Sequence, residues 1–173
     1  MNDKVLILGG CRSGKSRFAL EKANSYQGYQ KIFLATSSAY DEEMALRITR
    51  HQAERGADWE TIECPVDLPQ RLESLDLVHS LLLVDCLTMW VNNLIMEDML
   101  EDNIIYKFKL LKNVIQHIQC PIILISNEVG MGIVPENKLV REYRDYLGLL
   151  NQNISSCVGH VLFMVAGIPM TVK

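Results

Sequence analysis

Five short runs of aliphatic and β-branched residues recur along the chain: "KVLIL" from residue 4, "KIFLAT" from 31, "LLLVD" from 81, "PIILIS" from 121 and "HVLFMVAG" from 160. They are too continuously apolar to leave one face in water, so they read as strands buried on both sides. Residues 14–25, 41–56, 92–118 and 136–156 instead repeat apolar positions at helical spacing. The third of these places Leu100, Ile104, Phe108, Leu111, Ile115 and Ile118 along one stripe. "WETIEC", residues 59–64, alternates with period two and reads as a weaker strand, an edge or an excursion. Strands that alternate with helices predict an α/β fold, with a mostly parallel central sheet flanked by helices. No repeat, low-complexity tract or linker interrupts the pattern, which predicts one domain over residues 1–173.

Composition narrows the class. The 173 residues are 49% hydrophobic and 22% charged, enough for one well-buried core. A formal net charge of −4 argues against sequence-independent nucleic-acid binding, which rests on a basic face. The expected partner is a small molecule. No apolar run approaches a membrane span, and "MNDKVLILGG" has no signal-peptide layout, so the expected location is cytoplasmic. Cys11, Cys64, Cys86, Cys120 and Cys157 are scattered and never in C-x-x-C spacing, which predicts reduced, mostly buried thiols.

The first strand runs into "GGCRSGKS", residues 9–16, before a helix. Gly9, Gly14, Lys15 and Ser16 fit the phosphate-loop pattern G-x-x-x-x-G-K-[ST]. Such a turn aims backbone N–H groups and a helix dipole at one point, which favours phosphate. The glycines admit the phosphates closely, Lys15 reaches the β and γ groups, and the Ser16 hydroxyl ligates Mg²⁺. A hard oxygen partner for that metal belongs at the end of another buried strand, and "LLLVDC" supplies Asp85. This pairing points to a P-loop nucleotide enzyme, and the fold expected for the chain is a P-loop NTPase of RecA-like type. At the end of "PIILISNE", Glu128 beside Asn127 either positions a nucleophile or water, or belongs to a helix cap.

On the helix "DEEMALRITRHQAER", Arg47, His51 and Arg55 lie one turn apart on one stripe. Two cations flanking an imidazole favour its neutral, nucleophilic form, and they can hold phosphate oxygens. The alternative is a solvated face with pairs such as Arg47 or Arg50 with Glu54. His79, His117 and His160 have no comparable setting and read as structural or surface groups.

At this point the chain resembles the bifunctional adenosylcobinamide kinase/adenosylcobinamide-phosphate guanylyltransferase family of cobalamin biosynthesis. The resemblance runs through "LGGCRSGKSRFAL", "ATSSAYDEEMALRITRHQAERGADWETIE", "LLLVDCLTMWVNNL", "ISNEVGMGIVPENKLVREYRDYLGLLNQ" and "VAGIPMTVK". Between Ile95 and Gln119 no motif matches. The resemblance implies phosphorylation of adenosylcobinamide with ATP or GTP, then transfer of GMP from GTP to that phosphate, giving adenosyl-GDP-cobinamide and pyrophosphate. It implies a covalent guanylyl intermediate on His51, within R-I-x-x-H, with Arg47 and Arg55 as candidates for the phosphate clamp. Lys15 is the second expected catalytic residue. The implied nucleotide site comprises Gly9, Gly10, Cys11, Arg12, Ser13, Gly14, Lys15 and Ser16, then Ala35, Thr36 and Ser37, then Gln52, Ala53, Glu54 and Arg55, with Glu63 and Asp85. Mg²⁺ would sit on Ser16 and Asp85.

Within that set, the Glu63 carboxylate can accept from guanine N1 and N2 and so reject adenine; otherwise it is an exposed strand residue. Thr36 and Ser37 equally suit a helix cap. Gly130 and Gly132 before Pro135 make a loop suited to close approach by a ligand or a neighbouring subunit. Beyond it, Arg141 and Arg144 either meet corrinoid phosphate or form salt bridges. Asp145 shares their helix, whose apolar side carries Leu139, Tyr143, Tyr146, Leu147 and Leu150. Trp59, Met89 and Trp90 read as core. The family also implies a homotrimer with active sites between subunits. The alternatives are a generic RecA-like ATPase and a nucleotide-binding regulatory module; His51 and Glu63 favour the enzyme.

Overall fold

The computed structural model describes residues 3–37, 56, 58–97 and 99–173. In chain order the elements are β1 (Lys4–Gly9), α1 (Lys15–Asn24), β2 (Gln30–Ala35), β3 (Trp59–Glu63), α2 (Leu68–Ser74), β4 (Ser80–Asp85) and α3 (Leu87–Met96). They continue as α4 (Glu101–His117), β5 (Ile122–Ile125), α5 (Lys138–Ser155), β6 (His160–Val165) and β7 (Ile168–Thr171). The strands form one sheet in the order β3-β2-β4-β5-β1-β6-β7, parallel throughout except for the antiparallel β6–β7 pair. The expected mostly parallel sheet is therefore present. "WETIEC" forms its edge.

The continuous apolar runs follow from burial on both faces. In β4, Leu82 and Val84 enter one core while Leu81 and Leu83 enter the other, and all four are fully buried. Complete burial of each is worth roughly 1.5–3 kcal/mol. The core on the α1 side packs Ala19 and Ala23 against Val5, Ile7, Ile123 and Ile125. Trp90, Phe108, Leu111 and Leu147 anchor the opposite core, with the Trp90 and Phe108 rings 5.9 Å apart. Trp59 and Trp90 are core, as expected, whereas Met89 is half-buried.

Three elements differ from the sequence reading. The helix expected over 92–118 is two: α3 ends at Met96 and α4 starts at Glu101. Leu100 is the extended N-cap of α4 and is 74% exposed, so it does not belong to the buried stripe. Glu101 and Asp102 fall in the first turn, where carboxylates oppose the positive end of the helix dipole. The short helix α2 was not expected; Pro69 lies at its start, where a missing N–H is harmless. Nor was β7, which returns after a tight turn at Ala166 (φ 50) and Gly167 (φ 83). The helix expected over 41–56, with Arg47, His51, Gln52, Ala53, Glu54 and Arg55, lies outside the described residues apart from Gly56, which is not helical (φ 80).

Candidate nucleotide site

The loop from Gly9 to Gly14 turns at the carboxyl end of β1 with three positive φ angles: Gly9 at 149°, Arg12 at 54° and Gly14 at 94°. Gly14 is the N-cap of α1, and its carbonyl accepts the first helical bond, from Phe18 N at 3.0 Å. A side chain cannot replace Gly9, because a Cβ there would lie 2.7 Å from the Met164 carbonyl and 2.8 Å from Ser13 Oγ. The β6–β7 turn backs the loop, Gly167 N donating to Ser13 O at 2.9 Å.

Lys15 is only 8% exposed, and its ammonium turns back over the loop to donate to Gly9 O (3.1 Å) and Gly10 O (2.6 Å). Burial pulls its pKa below the ordinary lysine value, opposed by the nearby Cys86, Asp85 and Cys11. An ammonium held by carbonyl dipoles inside the loop is placed for phosphate oxygens arriving there.

One residue further on, Ser16 Oγ donates to Asp85 Oδ2 at 2.8 Å. Two hard oxygens side by side beneath the loop fit Mg²⁺, which takes one or two protein oxygens and completes its shell with water and phosphate. Asp85 stands next to Ala35 of β2, whose other neighbour is Glu63 of β3. At the usual strand spacing, Glu63 therefore lies two strands, roughly 10 Å, from Asp85. Glu63 is exposed, on the rim of a cavity of about 720 Å³ that Gln70, Arg71, Glu97 and Lys107 also line.

Thr36 is fully buried, and the residues of the helix it was expected to cap lie outside the described ones. The Thr36 hydroxyl donates to Cys86 O at 2.7 Å and accepts from Cys86 N at 2.8 Å, which locks the end of β2 to the turn after Asp85. Asn93, 2% exposed, donates from one amide nitrogen to Thr36 O (2.7 Å) and Pro65 O (2.9 Å). Trp90 Nε1 adds a bond to Val66 O at 2.8 Å. These α3 residues hold together the strand ends that carry Thr36 and Glu63, a role the sequence reading missed. Only the unusual "NN" inside an apolar helix signals it.

The segment after β5 is tied to the same place. Glu128 N donates to Gly9 O at 3.1 Å, and Glu128 Oε1 accepts from Gly130 N at 2.7 Å. The next helix begins only at Lys138, so Glu128 caps none. Thr88 Oγ1 and Asn151 Nδ2 clasp the backbone of Asn127 at 2.8 and 3.0 Å. Arg144 and Arg141 do something not anticipated. Arg144 donates to Gly130 O (2.9 Å), Gly132 O (3.3 Å) and Ile133 O (2.7 Å), and Arg141 to Pro135 O (3.0 Å) and Glu136 O (2.6 Å). Both guanidinium groups hold the loop's main chain.

The remaining expectations fall out simply. His79, His117 and His160 are at the surface. Cys64 and Cys120 are buried, Cys86 and Cys157 half-buried, and Cys11 is exposed in the phosphate loop; all five are free thiols. Ala35 is buried and Ser37 half-buried at the end of β2. Among the described residues, Gly9–Ser16, Ala35–Ser37 and Asp85 come together at the carboxyl end of the sheet, with Glu63 at its edge.

A glycine loop joining a buried strand to a helix, with a lysine folded onto it and a serine bonded to the acid of a neighbouring parallel strand, defines a P-loop NTPase fold. Solved structures agree on that fold: a structural-project protein from Pyrococcus horikoshii OT3 matches at TM-score 0.58 and 9% identity, over 99% of this chain and 86% of that one. A second solved structure, an ATPase domain, matches at TM-score 0.52 and 13% identity, over 94% of this chain and 69% of that one. The family model described as cobinamide kinase / cobinamide phosphate guanyltransferase matches residues 5–172, and the chain belongs to that family. Its relatives include the bifunctional adenosylcobalamin biosynthesis protein of Pseudomonas aeruginosa, 42% identical over 97% of this chain and 96% of that protein. The protein of the same description from Salmonella typhimurium is 35% identical, over 98% and 99%.

Proposed function

We propose that this chain is a single catalytic domain carrying both activities for which its family is named. In the first, the aminopropanol hydroxyl of adenosylcobinamide takes the γ-phosphoryl group of ATP or GTP. In the second, GMP passes from GTP to adenosylcobinamide phosphate. His51 attacks the α-phosphorus and pyrophosphate leaves; the corrinoid phosphate then displaces the histidine to give adenosyl-GDP-cobinamide. The observation that carries the reading is the family match across residues 5–172 around an assembled phosphate loop.

The chain's own residues divide the work. Lys15 and the backbone of Gly9–Gly14 hold the triphosphate, and Ser16 and Asp85 hold Mg²⁺. When bound, Mg²⁺ neutralises charge on the phosphoryl oxygens. Glu63 reads the guanine edge, Arg47 and Arg55 hold phosphate beside His51, and Gln52–Glu54 complete the nucleotide contacts. Thr36 contributes by holding Asp85's turn in place. The assembly is a homotrimer, supported by the family resemblance and by exposed Met131, Ile133 and Val134. Dependence on ATP and GTP supports a cytoplasmic location.

The test is direct. With adenosylcobinamide, ATP, GTP and Mg²⁺, mass spectrometry should find first the phosphate and then adenosyl-GDP-cobinamide. With α-labelled GTP alone, the protein should acquire an acid-labile, base-stable label that His51→Ala lacks. Nucleotide hydrolysis without either product would leave only a generic ATPase.

A further inference from the structure

Transfer of a phosphoryl group to an alcohol requires a group that takes the hydroxyl proton as the new oxygen–phosphorus bond forms. Among the described acidic residues at the carboxyl end of the sheet, Asp85 is bound to Ser16 at the metal position. Glu63 lies two strands from it. Asn127 has no proton-accepting carboxylate. Glu128 is placed differently from all of these. Its backbone N–H donates to the Gly9 carbonyl at 3.1 Å, and the same carbonyl accepts from Lys15 Nζ at 3.1 Å. Glu128 is half-exposed, which leaves room for an acceptor beside it.

Its position is enforced from the far side. Glu128 Oε1 accepts from Gly130 N at 2.7 Å, and a Cβ at residue 130 would stand 2.9 Å from that oxygen. Gly130 is in turn held through its carbonyl by Arg144 at 2.9 Å, with Gly132 and Ile133 held by the same guanidinium. A chain of hydrogen bonds thus runs from α5 through Arg144, Gly130 and Glu128 to Gly9 and the phosphate lysine. It fixes one carboxylate oxygen on the protein.

We propose that Glu128 is the general base of the phosphorylation step, an assignment that rests on the kinase reading above. The hydroxyl oxygen of the acceptor forms the bond to the γ-phosphorus, and its proton passes to the Glu128 carboxylate. The bond from the γ-phosphorus to the bridging oxygen breaks, its electron pair leaves on the nucleoside diphosphate, and the proton is then lost to solvent. Guanylyl transfer makes no such demand. Its acceptor is a phosphate monoester, already an oxyanion at neutral pH because its second pKa is about 6. One carboxylate therefore serves one of the two reactions.

The experiment measures the two half-reactions separately. In Glu128→Gln, kcat for phosphorylation of adenosylcobinamide should fall about 10²-fold or more, the usual effect of removing a general base. GTP affinity, and GMP transfer to pre-formed adenosylcobinamide phosphate, should stay within about twofold. Glu128→Asp, which keeps a carboxylate, should recover part of the rate. Kinase activity retained in Glu128→Gln, or equal loss of both transfers, overturns the assignment. A parent chain inactive in both half-reactions overturns the function itself and this assignment with it.

Discussion

The Ser16 hydroxyl donates to Asp85 Oδ2 across 2.8 Å, joining the first turn of α1 to the carboxyl end of β4, 69 positions away in the chain. The contact exists because β4 and β1 both flank β5 with their carboxyl ends on the same side of the sheet. If the pair holds the metal of both transfers, Ser16→Ala and Asp85→Asn should each lower turnover roughly 10²-fold, the scale of losing one transition-state contact. The double variant should be little worse than either alone, since groups acting as a unit are not additive. Fully additive losses in steady-state assays would show that the two residues act separately.

Replacing Gly9 tests the loop geometry. Alanine there adds a Cβ 2.7 Å from the Met164 carbonyl, at a φ of 149° that L side chains rarely adopt. Gly9→Ala should cost about 1–3 kcal/mol of stability and weaken GTP binding at least tenfold by calorimetry. Unchanged binding would mean that the loop tolerates a displaced backbone.

Asn93 offers a test at a distance from the phosphates. Leucine in its place leaves the carbonyls of Thr36 and Pro65 without their donor, at a cost of about 1–3 kcal/mol for buried groups. Urea unfolding should show this loss, and the KM for GTP should rise as the Thr36 and Glu63 strand ends loosen. A variant with parental stability would refute the latch.

The cysteines separate by environment. Cys11 is exposed within the phosphate loop, so a thiol alkylating reagent should modify it first, and GTP with Mg²⁺ should protect it. Modification unaffected by nucleotide, read by peptide mass spectrometry, would place the triphosphate elsewhere.

Burial pushes the Cys120 and Cys86 thiols up to about 11. The folded chain keeps these protons at pH values where unfolded cysteines, at about 8.5, have released theirs. Their contribution is complete below the unfolded value and is lost as pH rises toward 11. The urea midpoint should therefore fall between pH 8 and 11, and fall less in Cys120→Ala. An equal fall in both proteins would remove Cys120 as a cause.

Much of the architecture was legible because parallel strands buried on both faces must be continuously apolar, as Leu81–Val84 are. The phosphate loop was legible for a related reason: its glycines are demanded by local backbone geometry, which a short motif records. Helix boundaries were less so. Leu100 keeps helical spacing with Ile104, and periodicity alone cannot register an extended N-cap. The short strand β7 was hidden for want of a buried side, its four residues all being exposed.

The order of residues by itself determined the strands other than β7, the phosphate loop and the family, since each depends on which side chains follow one another within a short span. Which distant groups meet was decided only by the fold. Sheet order, set by the packing of helices on both faces, brings Asp85 to Ser16 and puts Glu128 on the Gly9 carbonyl. The same packing turns Arg144, an ordinary surface cation in one dimension, onto three main-chain carbonyls. Hydrogen bonds need partners within about 3 Å, and only a folded chain brings residues so far apart in sequence that close.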